Sequence, residues 1–318
     1  MTTVRERPGL HRLRLGTAPD SWGVWFPDDP AQLPWDRFLD EVATAGYEWI
    51  ELGPYGYLPT DPVRLADELA RRGLRLSGGA VFAGLHRGGA ALDAAVAACR
   101  REARLLTALG ARHLVLLPEL YTDLDGNRTE SADLSAAQWT DLLTGLSQLG
   151  RLLAAEFDVR LVFHPHADSH VDTQDRVERL LDGTDPAGVA LCLDTGHISY
   201  CGGDNLALIE RFGPRIGYVH LKQVDAGIGR RVRAEGLAFA EAVRLGAMVE
   251  PPLGLPEFEP LLAALGGLDV DLFTIVEQDL YPCDPGAPLP IATRTRAYLT
   301  GCGLPAGATP GATRGAVR

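Results

Sequence analysis

Short apolar runs of β type alternate with longer amphipathic segments from one end of the chain to the other, and this alternation narrows the fold more than any other feature. The β-type runs are LRLGTAPD, YEWIELGP, LRLSGGAVF, RHLVLLPEL, VRLVFHPH, VALCLDTGH, IGYVHLKQ and LFTIVEQD. Between them lie segments such as WDRFLDEVATAGY, DPVRLADELARRG, AALDAAVAACRREARLLTALG and SAAQWTDLLTGLSQLGRLLAAEF. Their apolar residues recur three and four apart, as a helix with one buried face requires. Thr60-Asp61-Pro62 and Thr184-Asp185-Pro186 suit helix or turn starts, and Gly46, Gly73 and Gly110 suit helix stops. Runs such as HLVLLPEL and VALCLDTGH are continuously apolar, the mark of strands covered on both faces of a parallel sheet. The expected fold is α/β, a (β/α)8 TIM barrel, and 318 residues suit one such barrel with insertions. A single domain is expected over residues 1–303, with the Gly-, Pro- and Thr-rich stretch 304–318 disordered.

Charge and cysteine usage exclude several classes of partner. A formal net charge of -12 argues against a nucleic-acid surface, which needs clustered Lys and Arg. No apolar run approaches the roughly 20 residues of a membrane span, and the basic start MTTVRERPGLHRLRL has no signal-peptide core behind it. A cytoplasmic protein with a small-molecule partner is expected. Cys99, Cys192, Cys201, Cys283 and Cys302 are odd in number and form no CxxC pair, so reduced thiols are expected.

A barrel of this kind carries its chemistry where the strands end. Asp20 and Trp22 follow the first strand, Glu51 the second and Glu119 the fourth. His164 and His166 follow the fifth, Asp194 and His197 the sixth, His220 and Lys222 the seventh, Glu277 and Asp279 the eighth. His164, Asp194, His220 and Glu277 together offer two imidazoles and two carboxylates, enough for one borderline divalent metal such as Mn, Co or Zn. His166 is an alternative to His164 in that set. Glu277 stands out, because a carboxylate ending the apolar run LFTIV is costly to bury without a cation or donor. Glu51 and Glu119 are candidate substrate contacts, Glu51 equally a partner for an Arg. Trp22, Trp25 and Phe26 in APDSWGVWFPDDP could stack on a ring or meet another subunit. His86 and His170 read as loop residues.

The motifs FHPHADSHVDT, LDTGHISYCGGD, PRIGYVHLKQV, LAFAEAVRLGA and VEQD, in this order, resemble the inosose (2-keto-myo-inositol) dehydratases among the xylose-isomerase-like barrels. Weaker similarity runs back through LLTALGARHLVLLPE and AGYEWIELGPYG, so the resemblance spans nearly the whole chain. It implies a divalent metal, Mn or Co ahead of Mg or Zn, held by His164, Asp194, His220 and Glu277. It also implies a keto-cyclitol or keto-sugar that loses water beside its ketone. Sugar epimerases and isomerases of this fold carry Glu where His164 stands, which points this chain toward elimination. The loop MVEPPLGLPEF departs from the dehydratase pattern.

Such a dehydration needs a base for the carbon-bound proton, stabilisation of the enolate and a proton for the departing hydroxyl. His166 and His197 are the candidate bases, with Glu277 as a metal-bound alternative, and Lys222 is a candidate donor to the enolate. Asp20, Trp22, Trp25, Glu51 and Glu119 are the expected substrate-binding residues. A second reading on the same barrel is a lyase that cleaves a 3-keto-glycoside or C-glycoside by β-elimination, with a small partner subunit. A homo-oligomer is expected on either.

Overall fold

Each of the eight apolar runs forms a strand, and alternation along those strands decides what faces the barrel axis. The computed structural model describes residues 9–305. Its strands are β1 (Leu13–Thr17), β2 (Trp49–Glu51), β3 (Arg75–Ala83), β4 (His113–Pro118), β5 (Arg160–Phe163), β6 (Val189–Asp194) and β7 (Ile216–Leu221), then β8 (Gln223–Val224), β9 (Met248–Val249) and β10 (Leu272–Val276). A closed parallel barrel runs in the order β1-β10-β7-β6-β5-β4-β3-β2, so the expected architecture is the observed one. The pair β8 and β9 is a separate antiparallel ribbon between β7 and β10.

Val115 and Leu117 of β4, Val162 of β5, Ala190 and Cys192 of β6, Tyr218 of β7 and Ile275 of β10 form one buried cluster. The residues between them, including Leu114, Leu116, Leu161, Leu191, Leu193 and Val219, belong to the larger core beneath the helices. This is the period of two expected of a strand, with one parity filling the barrel and the other packing outward.

The outer layer contains α1 (Trp35–Ala45), α2 (Pro62–Ala70), α3 (Gly89–Ala108), α4 (Ala136–Phe157), α5 (Gln174–Gly183), α6 (Thr195–Tyr200), α7 (Asn205–Phe212), α8 (Ala226–Glu235), α9 (Phe239–Arg244), α10 (Phe258–Gly266) and α11 (Pro288–Gly301). The Asp61 carboxylate accepts from the Arg64 N–H to start α2, and Ser135 with Gln138 forms a capping box on α4. Gly46 ends α1 at φ 87°, where its N–H reaches the Val42 and Ala43 carbonyls. A left-handed turn of this kind admits glycine without steric cost.

Among the described residues, no helix is long and apolar enough to cross a membrane, and no cysteine is in a disulfide. Leu304, the first residue of the expected tail, is buried in the core, and the stretch beyond Pro305 lies outside the described residues.

Gly150 of α4 lies against the Gly188 backbone at the start of β6, and a Cβ there would overlap the Gly188 carbonyl oxygen. Gly150→Ala is expected to lower unfolding free energy by about 1–3 kcal/mol through overpacking. Urea titration would check it against Gly301→Ala, where a Cβ meets nothing within 4 Å.

Candidate active site

Two residues above the topmost axis-facing side chains, the same parity delivers polar groups. Val162 is followed by His164, Cys192 by Asp194, Tyr218 by His220 and Ile275 by Glu277. The strands concerned, β5, β6, β7 and β10, are consecutive in the barrel, and Asp194 stands directly beside His220 in register. His164 Nε2 is 3.3 Å from Asp194 Oδ2, and His220 Nδ1 is 3.0 Å from Glu277 Oε2 and 3.8 Å from Asp194 Oδ2. One ligand atom from each of the four residues lies within 4.8 Å of the others.

The residues fit a divalent cation. His220 Nε2 is 3.0 Å from Glu51 Oε2, so a hydrogen sits there and Nδ1 faces the cluster, where a bound ion would take the place of a proton. Although Nδ1 is near Glu277, it is buried with no hydrogen bond of acceptable geometry. Lone pairs and carboxylates aimed at one point about 3 Å apart are what adjacent ligands of an ion with bonds of about 2.0–2.2 Å look like. Glu51, expected to touch substrate, lines the cavity and is also a buried support for His220, the arrangement that orients metal-binding imidazoles.

Lys222 Nζ is buried 2.8 Å from Asp279, 3.0 Å from Glu277, 3.4 Å from Asp194 and 3.8 Å from Asp20. Burial works against its charge, but Asp194, Asp279 and Glu277 outweigh it and hold the ammonium well above its ordinary range. Burial likewise favours protonation of Glu277, and the positive charges of His220 and Lys222 reverse this, keeping it ionised. Asp20 and Asp279 are pushed upward, first by burial and then by Glu277 among other neighbours.

His166 and His197 stand side by side, ring centroids 3.9 Å apart. His166 Nδ1 donates to the Ala167 carbonyl at 2.7 Å, so Nε2 carries a lone pair. His197 Nδ1 accepts from the Ala167 N–H at 3.3 Å, so its Nε2 carries the hydrogen. Burial drives both far down, His166 to about 3, so both are neutral at physiological pH. Lys222 Nζ approaches His197 Nε2 to 3.4 Å, bringing two donors toward one spot.

These groups open into a cavity of about 680 Å³ lined also by Asp20, Trp25, Phe26, Tyr55, Phe82, Arg101, Glu102 and Phe239. Trp25 stacks on Tyr281 at 5.0 Å and on Phe239 at 6.5 Å. Two expectations are corrected. Trp22 turns away from the cavity into the helix layer, its indole N–H donating to Glu41 and its ring edge-on to Phe38. Glu119 does not line the cavity either, being half-exposed and paired with Arg87.

Phe239 and Glu102 escaped the strand-end reasoning, because α9 and α3 bring them in from helices. The motif LAFAEAVRLGA was the signal for Phe239; none existed for Glu102. Its carboxyl fills the space that a side chain at Gly79 would need, and neither oxygen has a hydrogen-bond partner.

With this geometry in hand, the comparisons decide the family. The model of the xylose isomerase-like TIM barrel family matches residues 39–293. The inosose dehydratase of Geobacillus kaustophilus (strain HTA426) is 31% identical over 283 residues, covering 86% of this chain and 89% of that protein. The chain is an inosose-dehydratase-like member of the xylose isomerase-like TIM barrel family. The inosose dehydratase of Geobacillus thermodenitrificans (strain NG80-2) is 29% identical over 301 residues, 92% of this chain and 99% of its own length. Among solved structures, the IolI protein with a bound zinc atom shares the fold with a TM-score of 0.68 at 16% identity, over 91% of this chain and 98% of that one.

Burial raises the Glu102 carboxyl from its ordinary 4.5 to about 8. A folded-state value above the unfolded one means stability fully present below 4.5 and lost as pH rises through about 8. Glu102→Gln is therefore expected to gain stability over wild type progressively across that window and to hold a constant advantage above it. Thermal unfolding at a series of pH values reads this directly.

Proposed function

We propose that the chain is a divalent-metal-dependent hydro-lyase that removes water from a keto-cyclitol, with 2-keto-myo-inositol as the substrate. One observation carries the reading: His164, Asp194, His220 and Glu277 converge beside two neutral imidazoles of opposite tautomer. The inosose dehydratase relatives support the substrate class. His164, Asp194, His220 and Glu277 would hold the ion, with Glu51 orienting His220. A mixed nitrogen and oxygen set suits Mn or Co. When bound, the ion supplies Lewis-acid stabilisation of negative charge on the substrate oxygens, worth several kcal/mol.

The chain's own groups then divide the proton transfers. His166 Nε2, with its lone pair, takes the proton from the carbon next to the ketone. The electron pair left behind forms the new carbon–carbon double bond as the carbon–oxygen bond one atom further on breaks. His197 Nε2–H delivers its proton to the departing hydroxyl, which leaves as water, and the Lys222 ammonium stabilises charge on the same side. Both imidazoles are near enough for the proton gained by one to be returned to the other. Glu277 is a poorer base, since His220 and Lys222 already occupy its charge.

The cavity favours a second reading. A bare six-membered ring polyol is much smaller than the ligands that fill pockets of about 300–1,000 Å³. The wall built by Trp25, Phe239 and Phe26 would suit a flat leaving group on a 3-keto-glycoside, eliminated by the same two imidazoles.

Incubating Mn-loaded enzyme with 2-keto-myo-inositol is expected to generate the ultraviolet absorbance of a conjugated dione. His164→Ala or chelation should cut kcat/KM about a thousandfold, the equivalent of about 4 kcal/mol. Undiminished turnover in both would remove the metal from the mechanism, and faster release of an aromatic aglycone from a 3-keto-glycoside would select the second reading. Glu51→Ala should weaken Mn binding about 10–100-fold, measured by calorimetry, because nothing then holds the His220 tautomer.

A further inference from the structure

A second group of metal-binding side chains sits outside the cavity. His86 follows β3, Glu130 lies between β4 and α4, and His170 lies between β5 and α5, so three different loops supply it. Their ligand atoms lie within 4.8 Å of one another, and none of the three lines the main cavity. Glu130 Oε2 is 3.0 Å from His86 Nε2 and 3.7 Å from His170 Nε2. Those separations bracket the about 3.3 Å between ligand atoms around a tetrahedral ion with bonds of about 2.0 Å.

Hydrogen bonding leaves this trio one cation short. His170 Nδ1 donates to the Ala132 carbonyl at 3.3 Å, so its lone pair is on Nε2. That atom is buried, has no hydrogen-bond partner and faces a carboxylate oxygen. Two acceptors confront each other there, an arrangement that is repulsive unless a cation lies between them.

The surrounding charge also leaves room for one. Arg87 is shared by Glu119 and Glu130, so one guanidinium faces two carboxylates and one negative charge is uncompensated. Arg87 binds Glu130 through Oε1, while Oε2 accepts from the His86 Nε2–H, a hydrogen that a bound ion would displace, and also faces His170.

We propose that His86, Glu130 and His170 form a second divalent-cation site of the two-histidine, one-carboxylate type, taking Zn with water in the remaining position. The ion would tie the loops after β3, β4 and β5 to one another. The loop after β5 also carries His166, and that after β4 carries Leu120 and Thr122 of the cavity wall, so the site would stiffen one side of the pocket.

Full-length protein stripped with chelator and reloaded with Zn is expected to retain two ions per chain by elemental analysis. A variant with His86→Gln and His170→Gln should retain one, and the upper step of the Zn-dependent rise in Tm should vanish. One ion in wild type, or two in that variant, would overturn the proposal and leave a hydrogen-bonded trio. Should the variant not fold, His164→Ala decides: it disables the proposed catalytic ion alone, so one retained ion supports the second site and none rules it out. The same variant separates this site from the proposed function, since turnover falls while the second ion stays.

Discussion

The upper end of the barrel depends on one buried ammonium. Carboxylates from the loop after β1, from the end of β6 and from two positions after β10 all lie within 3.8 Å of Lys222 Nζ. Like charges this close in a medium of low dielectric repel by several kcal/mol per pair, so they could not share the space without a cation among them. Lys222 reaches it because its stem crosses Gly196 at the start of α6, where any Cβ would collide with the lysine chain. The glycine in DTGH and the lysine in HLK are thus two halves of one contact. Their presence together in the sequence is a packing statement as much as a chemical one.

A division of charge follows. Lys222 balances Asp279 and Asp20 at the rim and shares of Glu277 and Asp194, while Glu51 faces His220 and Asp194 also faces His164. The quartet of His164, Asp194, His220 and Glu277 carries two negative charges when the imidazoles are neutral, the complement of a single divalent ion. His166 and His197 lie outside that balance, buried and uncharged, and so free to exchange protons.

The strands and the candidate quartet were legible because a closed barrel leaves little freedom: parity and strand order convert sequence position into direction. His164, Asp194, His220 and Glu277 each fall two residues beyond an axis-facing apolar side chain, which the pattern of LVFH, LCLD, YVHL and TIVE already contained. Loops are not bound by parity, and there the reading failed. Trp22 and Trp25 are three residues apart on one turn, yet one packs on Phe38 and the other faces the cavity. Glu119 is one residue past β4 and is claimed by Arg87, a partner that only the folded loop brings near. His86 and His170, read as loop residues, do lie in loops but are buried against each other, ring centroids 4.3 Å apart. Phe239 arrives from a helix on the excursion between β7 and β10, which has no strand to fix its direction.

The imidazole at position 164 shapes both the charge and the reaction. A carboxylate there, as the isomerases and epimerases of this fold carry, would give the quartet three negative charges and dull the Lewis acidity of a bound dication. It would also put a second carboxylate on the substrate face. His164 supplies neither, being turned toward Asp194 at 3.3 Å. The proposed proton-transfer groups are instead His166 and His197, which the Ala167 carbonyl and N–H hold in opposite tautomers, one with a lone pair and one with a hydrogen. Moving a proton from one face of a carbon to the other calls for two groups on opposite sides of the substrate. An acceptor and a donor side by side serve a different need, the removal of hydrogen and hydroxyl from neighbouring carbons, and that geometry ties the chain to elimination.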